Sequence, residues 1–268
     1  MKIMHVFNIA GVPQNISKYQ RREGFIADVY TRREVERFGI ADSEPEIVKI
    51  LNMGPKRFSL YVLYKAKNYD VIHVHSFDKI IPLLKKIFRD NKKIVLTYHG
   101  SDIRNKWDKK KRFWEKADLV TVATKDLLEN APKKIIYVPN PVDTDRFNSK
   151  IKKENMYKNE NTALFILNKN IPHSLEWAKK QAQKYGLKLE ILDREKTFIS
   201  YEELPFFLSS FSLFIDRLDI PSLSKTALEC LALGVPVINW EGKIISELPT
   251  DHMPQIVAKK WIKLYQEI

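Results

Sequence analysis

Tyr69-Asp70-Val71-Ile72-His73-Val74-His75 is the stretch whose reading decides the fold. It is short and rich in β-branched residues, which favours a strand over a helix. A strand with one wet face alternates apolar and polar residues. Here Val71, Ile72 and Val74 make both faces apolar, as in a strand covered by helices on both sides. His73 and His75 are two residues apart and share one face, where they read as core or wall residues rather than ligands.

The pattern spreads in both directions. Lys93–Tyr98 and Asp118–Ala123 repeat it, Lys2–Ile9 and Ile26–Thr31 precede it, and Ile135–Val138 closes the first half. Helical stretches fall between them at Arg57–Asn68, Lys79–Asp90, Lys106–Lys116 and Lys125–Asn130. Alternating strands and helices with continuous apolar strands predict a parallel sheet sandwiched by helices. Beyond residue 161 the grammar returns: strand Thr162–Leu167, helix Ser174–Tyr185 ending at Gly186, strand Leu187–Leu192, short helix Tyr201–Ser209 and strand Ser212–Ile215. Helix Thr226–Leu233, stopped by Gly234, and strand Val235–Asn239 follow. The expected fold class is α/β, with two Rossmann-like doubly wound parallel-sheet domains facing a cleft. The expected domains are 1–147, a linker over 148–161, 162–252, and an amphipathic terminal helix over 253–268. One option for that helix is to pack back on the first domain.

Composition narrows the function. The 268 residues are 44% hydrophobic, enough for a core, so a disordered or fibrous chain is excluded. The single cysteine, Cys230, excludes a disulfide scaffold or a cysteine-rich zinc site and suits a reducing compartment. No stretch reaches the ~18 apolar residues of a membrane span, and the N-terminus has no signal-peptide pattern. Net charge is +13, and residues 1–150 hold 30 of the 46 basic but only 18 of the 33 acidic residues. Such an excess suits an acidic partner. The basic residues are not interleaved with aromatic ones, so nucleic acid is not expected. Ile80–Arg89 mixes apolar residues with Lys85, Lys86 and Arg89 as an interfacial helix does, which makes these three candidates for an acceptor or membrane surface.

Two stretches carry candidate chemistry. In Ser222-Leu223-Ser224-Lys225-Thr226-Ala227-Leu228-Glu229 a polar loop opens a helix. Free backbone N–H groups, the hydroxyls of Ser222, Ser224 and Thr226, and Lys225 suit a diphosphate. Glu229, a turn inside, could accept from sugar hydroxyls or be an ordinary surface charge. His99-Gly100-Ser101-Asp102 follows a strand, which puts an imidazole at a carboxyl end of the sheet, where α/β proteins bind ligands. Such a histidine either orients a substrate hydroxyl or simply satisfies its own turn. Two histidines with Asp102 match no familiar metal spacing, so no metal is expected. Gly11, after the first strand, is a weak turn or phosphate signal. Dinucleotide, Walker A and nucleophile-elbow motifs are absent from the sequence.

Together the motifs resemble the retaining glycosyltransferases of family 4, which have the GT-B fold. Asp70–His75 is similar to that family's D-[IV]-[IV]-H-x-H strand and Thr97–Asp102 to its T-x-H-G-x-D turn. Val138–Phe147 is similar to its P-N-G-V-D-x-x-x-F segment, Ser200–Pro205 to the segment before the penultimate strands, and Ala227–Ile238 to its L-E-A-M-A-x-G-x-P-V helix and strand. The resemblance implies transfer of a sugar from a nucleotide-sugar donor, held mainly by the second domain, to a lipid-linked, glycan or other acceptor held by the first. It implies retention, no cofactor and no metal. His99, with Asp102, becomes the catalytic candidate against the donor sugar, Glu229 the ribose ligand, and Gly11 a neighbour of the diphosphate or acceptor. A lipid-phosphate acceptor and an anionic membrane surface fit the basic first half, which places the chain in the cytoplasm or at the inner face of a membrane. The sequence also departs from the family. Pro221 stands where a second glutamate is usual, and Leu167-Asn168-Lys169-Asn170 replaces the usual Gly-Arg. Lys169 and Lys225 are left to offset the diphosphate. The alternative is a non-catalytic binding or regulatory protein of the same fold that has lost its diphosphate clamp.

Overall fold

The computed structural model describes residues 1–36, 39–154, 159–167, 173–194 and 196–268. Two compact units account for the chain. The first comprises Met1–Pro141 and Pro254–Ile268, and the second Val142–Met253.

The first unit is built on β1 (Lys2–Val6), α1 (Val12–Arg22), β2 (Ile26–Arg32), β3 (Val48–Leu51), α2 (Pro55–Ala66), β4 (Val71–His75), α3 (Ile81–Phe88), β5 (Lys93–Tyr98), α4 (Trp107–Trp114), β6 (Leu119–Val122) and β7 (Ile136–Tyr137). Its seven strands form one sheet in the order β3-β2-β1-β4-β5-β6-β7, with every pairing parallel. Strand parity divides its side chains between two cores. Met4, Val6, Ile72, Val74, Ile94, Leu96 and Tyr98 face α2, α3 and α4. Ile3, Val71, Val95 and Leu119 face the other way, toward α1. That second face also carries His5, His73, His75, Thr97 and Thr121, all buried.

Helix α1 is absent from the expected elements, because Pro13 and a run of polar residues mask it. Pro lies in its first turn, where a missing N–H costs nothing. Val12, Ile16 and Tyr19 form its buried stripe.

The second unit holds α5 (Ser149–Glu154), β8 (Asn159–Leu167), α6 (His173–Lys184), β9 (Lys188–Asp193), α7 (Leu204–Ser209), β10 (Phe211–Ile215), α8 (Lys225–Ala232), β11 (Val237–Ile238) and β12 (Ile244–Ile245). Its sheet runs β12-β11-β10-β8-β9 and is parallel except for β12, which pairs antiparallel with β11. The segment 148–161 is therefore not a bare linker. It contains α5, whose Lys152 Nζ donates to Gly234 O at 2.9 Å, and the start of β8, where Asn159 N donates to Ser210 O at 2.8 Å. The division between the units also falls before Val142 rather than after Phe147, since Phe147 is buried against Tyr201 in the second unit.

The last helix, α9 (Pro254–Glu267), belongs to the first unit. Val257, Trp261 and Tyr265 recur every four residues and are buried against α1 and the sheet. Counted on these boundaries, the first unit carries 31 basic and 17 acidic residues and the second 15 and 16. No helix among the described residues is long and apolar enough to cross a membrane.

Candidate functional site

At the carboxyl end of β5 the chain turns through His99–Asp102. The Asp102 carboxylate accepts from His99 N at 3.0 Å and Gly100 N at 2.7 Å, and also from Ser76 Oγ. It is thus engaged by the turn itself and holds His99 in place. His99 Nε2 lies 3.0 Å from His75 Nδ1. Burial pushes the His99 pKa down to about 4, while the Asp102 charge and a hydrogen bond with Asn140 oppose that shift. The imidazole is therefore neutral at pH 7. Gly11, in the left-handed region at φ 72°, caps α1 at the carboxyl end of β1, two strands away from β5. Beside it, Asn8 Oδ1 accepts from Gln14 N at 3.2 Å, and Asn8 Nδ2 donates to Gln14 Oε1 at 3.0 Å and Glu36 Oε2 at 3.3 Å.

Lys85, Lys86 and Arg89 are not brought to His99. They lie in the last turn of α3 and just beyond it, where the chain has returned to the amino ends of the strands. Lys85 is moreover paired with Asp118 at 2.7 Å, while Lys86 and Arg89 are exposed.

In the second unit, the start of α8 gathers most of the other candidates. Ser224 caps the helix, its Oγ accepting from Ala227 N at 3.1 Å. Its own N–H donates to Asp216 Oδ2 at 2.8 Å. Asp216 is buried at the end of β10, and burial raises its carboxyl pKa against the pull of Arg217 and the Ser224 hydrogen bonds. Lys225 Nζ lies 3.0 Å from Glu229 Oε1, and Glu229 is only 3% exposed, so it is no surface charge. Ser222 Oγ is buried without a hydrogen-bond partner among the described residues. Lys169 lies outside the described residues.

The structure adds four residues that the sequence did not single out as site candidates, two of them, Arg146 and Tyr201, inside the quoted family segments. Arg194 Nη2 donates to Thr226 Oγ1 at 3.3 Å, and burial lowers its pKa while Glu229 opposes the shift. Tyr201 is flanked by two cations, Arg146 at 4.7 Å and Lys225 at 5.2 Å from its ring centroid. Asp216 is the fourth. Arg194 and Asp216 each sit at or just past a strand's carboxyl end, the one positional signal that could have found them. The arrangement is chemically specific. Lys225, Arg194 and Arg146 lie near a helix N-terminus that offers backbone N–H groups, with one buried carboxylate a turn inside.

His5, His73 and His75 bring three ring nitrogens within 4.8 Å of one another, a spacing that could hold a metal ion. All six of their nitrogens nevertheless have protein partners: His5 with His75 and Gln20, His73 with Tyr265 and Thr97, and His75 with His99.

Comparison with known proteins places these sites in context. The profile of Glycosyltransferase Family 4 matches residues 12–146, half of the chain. Similar solved structures include an alpha-glucosyltransferase in complex with UDP and mismatched DNA, at TM-score 0.63 and 13% identity, covering 100% of this chain and 90% of that one. Sucrose-phosphate synthase from Thermosynechococcus elongatus gives TM-score 0.59 and 14% identity over 88% of this chain and 80% of its own. HepE of Anabaena in complex with UDP-glucose gives 0.56 and 13% over 100% and 90%. At such identities the likeness concerns the fold, which is GT-B. None of the curated proteins matches the sequence.

Proposed function

Because the chain belongs to glycosyltransferase family 4, we propose that it transfers a sugar from a nucleotide-sugar donor, with retention and without a metal. The observation that carries this reading is the convergence of Lys225, Arg194 and Arg146 on the start of α8, with Glu229 buried beneath. Sugar transfer leaves a diphosphate whose charge must be met as it develops. Preorganised cations and helix N–H groups do this without a metal. In this reading Lys225 and Arg194 meet the diphosphate and Glu229 accepts from ribose hydroxyls. His99, neutral and held by Asp102, is the first unit's contact for a sugar hydroxyl. A uridine diphosphate sugar is the first donor to test, since the alpha-glucosyltransferase and HepE structures carry UDP and UDP-glucose.

For the acceptor, a lipid phosphate at an anionic membrane surface is supported by the first unit's positive balance, 31 basic against 17 acidic residues. Exposed Leu60 and Tyr64 on α2, and Leu83 and Ile87 on α3, each one helical turn apart, add apolar contact to that charge.

The test is release of UDP from UDP-sugars by the full chain in the presence of lipid-phosphate acceptors, with and without a chelator. Turnover that survives chelation and falls about 100-fold or more in His99→Ala is expected. Failure to consume any UDP- or GDP-sugar would sink the reading. One observation favours a second reading, a binding protein without turnover: Lys225 is already neutralised by Glu229 at 3.0 Å. Donor binding with no turnover would identify it.

A further inference from the structure

The second unit has a cavity at the end of its sheet opposite the start of α8. Helix α7 ends at Ser209 and α8 at Ala232, while β8, β10 and β11 begin at Asn159, Phe211 and Val237. Residues at these ends, with α5 beside them, line a pocket of about 590 Å³. That volume falls within the roughly 300–1,000 Å³ of small-molecule sites. Open α/β sheets ordinarily bind ligands at the carboxyl ends of their strands, whereas this pocket lies at the amino ends. The eight residues of α8, about 12 Å of helix, separate it from the cations around Lys225.

The lining combines cations with hydroxyl oxygens. Lys152 and Lys153 of α5 stand against one acidic residue, Glu160. Lys152 Nζ donates to Gly234 O at 2.9 Å, which engages one of an ammonium's three N–H groups. Lys153 is exposed. Ser209 Oγ donates to Phe206 O at 3.0 Å, Ser210 Oγ to Phe207 O at 2.8 Å, and Ser212 Oγ to Asn159 O at 3.5 Å. A hydroxyl has one hydrogen and two lone pairs. With each hydrogen committed to a carbonyl, these oxygens can only accept from a ligand. Ser209 and Ser210 are 3% and 9% exposed, so they are set into the wall of the pocket. Helix capping accounts for part of the arrangement, because Ser209, Ser210 and Lys152 satisfy carbonyls at the ends of α7 and α8. It accounts neither for the second lysine nor for the open cavity. A bare anion would meet the lysines but find serine oxygens that have no hydrogen for it. An uncharged sugar would suit the serines and leave the ammonium groups unmet. A ligand with both an anionic group and hydroxyls satisfies the whole lining.

We propose that this pocket is a second ligand site, for a sugar phosphate whose phosphate meets Lys152 and Lys153 and whose hydroxyls donate to Ser209, Ser210 and Ser212. Burial lowers the Lys152 pKa, and an anion beside that ammonium offsets its desolvation. Pro236 adds apolar surface for the C–H groups of the sugar ring. The site does not rest on the proposed transfer reaction, since none of its residues belongs to the cluster around Lys225 and Glu229.

The test is calorimetric titration of the full chain with glucose 6-phosphate and glucose 1-phosphate, with inorganic phosphate and glucose as comparisons. At least one sugar phosphate is expected to bind at one site, about tenfold or more tighter than either comparison. The cations near the start of α8 also suit a phosphate, so the titration is repeated with saturating UDP and in Arg194→Met. Its affinity should change less than about twofold in both. Lys153→Glu reverses an exposed charge at the pocket and should weaken binding about tenfold or more. If that variant does not fold, Ser212→Glu, at another exposed lining position, sets a carboxylate against the ligand and should do the same. Hydrogen exchange should slow on binding at residues 149–154, 209–212 and 233–236. No binding of either sugar phosphate at millimolar concentration would overturn the proposal. So would inorganic phosphate binding as tightly as the sugar phosphates, loss of binding with UDP, or an affinity indifferent to the glutamate substitutions.

Discussion

Removing the two halves of the Lys225–Glu229 pair should have unequal effects. Glu229 is 3% exposed, and the Lys225 side chain is 17% exposed and rests over the Tyr201 ring. Lys225→Met leaves a carboxylate in the interior without its 3.0 Å partner. Breaking a buried pair from one side costs about 3–5 kcal/mol. The lower end applies here, because Arg194 still acts on Glu229. Glu229→Gln keeps the shape and leaves an ammonium that can turn to water, so its loss is that of an ordinary polar contact, about 0.5–1.5 kcal/mol. The gap between the variants is then about 1.5 kcal/mol or more, roughly tenfold in the opening equilibrium. Native-state hydrogen exchange of the α8 amides Ala227–Leu231 reads it within the second unit. Lys225→Met should exchange at least about tenfold faster than Glu229→Gln. A Glu229→Gln variant as damaging as Lys225→Met, or more so, would refute the view of Glu229 as a buried charge held by its lysine.

Further outcomes follow from the same geometry. Trp261→Ala on α9 should destabilise the first unit by about 3–5 kcal/mol in urea unfolding, since Trp261 is fully buried against β1 and α1; a loss below about 1 kcal/mol would mean the helix is not part of that core. His5 and His99 are pushed from 6.5 to about 4, so their stabilisation is complete above pH 6.5 and is lost as pH falls toward 4, when the unfolded chain takes protons the folded one refuses. For one such histidine the loss is about 3 kcal/mol, and urea unfolding that is flat between pH 7 and 4.5 would contradict it. Sedimentation with vesicles rich in anionic lipid should weaken about tenfold in a Leu60→Ser, Ile87→Ser double variant; undiminished binding would dismiss that face as the membrane contact.

Much of the first unit is legible in its sequence, because β4, β5 and β6 are continuous apolar runs between amphipathic helices. The misses have local causes. Lys49 interrupts β3, Pro13 hides α1, and β12 is two residues long. His99, Asp102, Lys225 and Glu229 could be picked out because each sits in a motif whose neighbours fix its position. Arg194 lies outside every motif, and Arg146 and Tyr201, although inside the quoted family segments, carry no visible role until loops far apart in sequence bring them to α8. The clustering of His5, His73 and His75 is more hidden still, because it depends on which strands become neighbours, and the strand order β2-β1-β4-β5 is a property of the folded sheet.

In the proposed function the second unit binds a nucleotide-sugar at the start of α8. Calorimetric titration of the full chain with UDP-glucose, and with GDP-mannose as a comparison, tests it most directly. Binding of at least one donor without added metal is expected, weakened about tenfold or more by Arg194→Met and by Glu229→Gln. A protein that binds neither donor nor free UDP at millimolar concentration, or one whose affinity is indifferent to both substitutions, would contradict it.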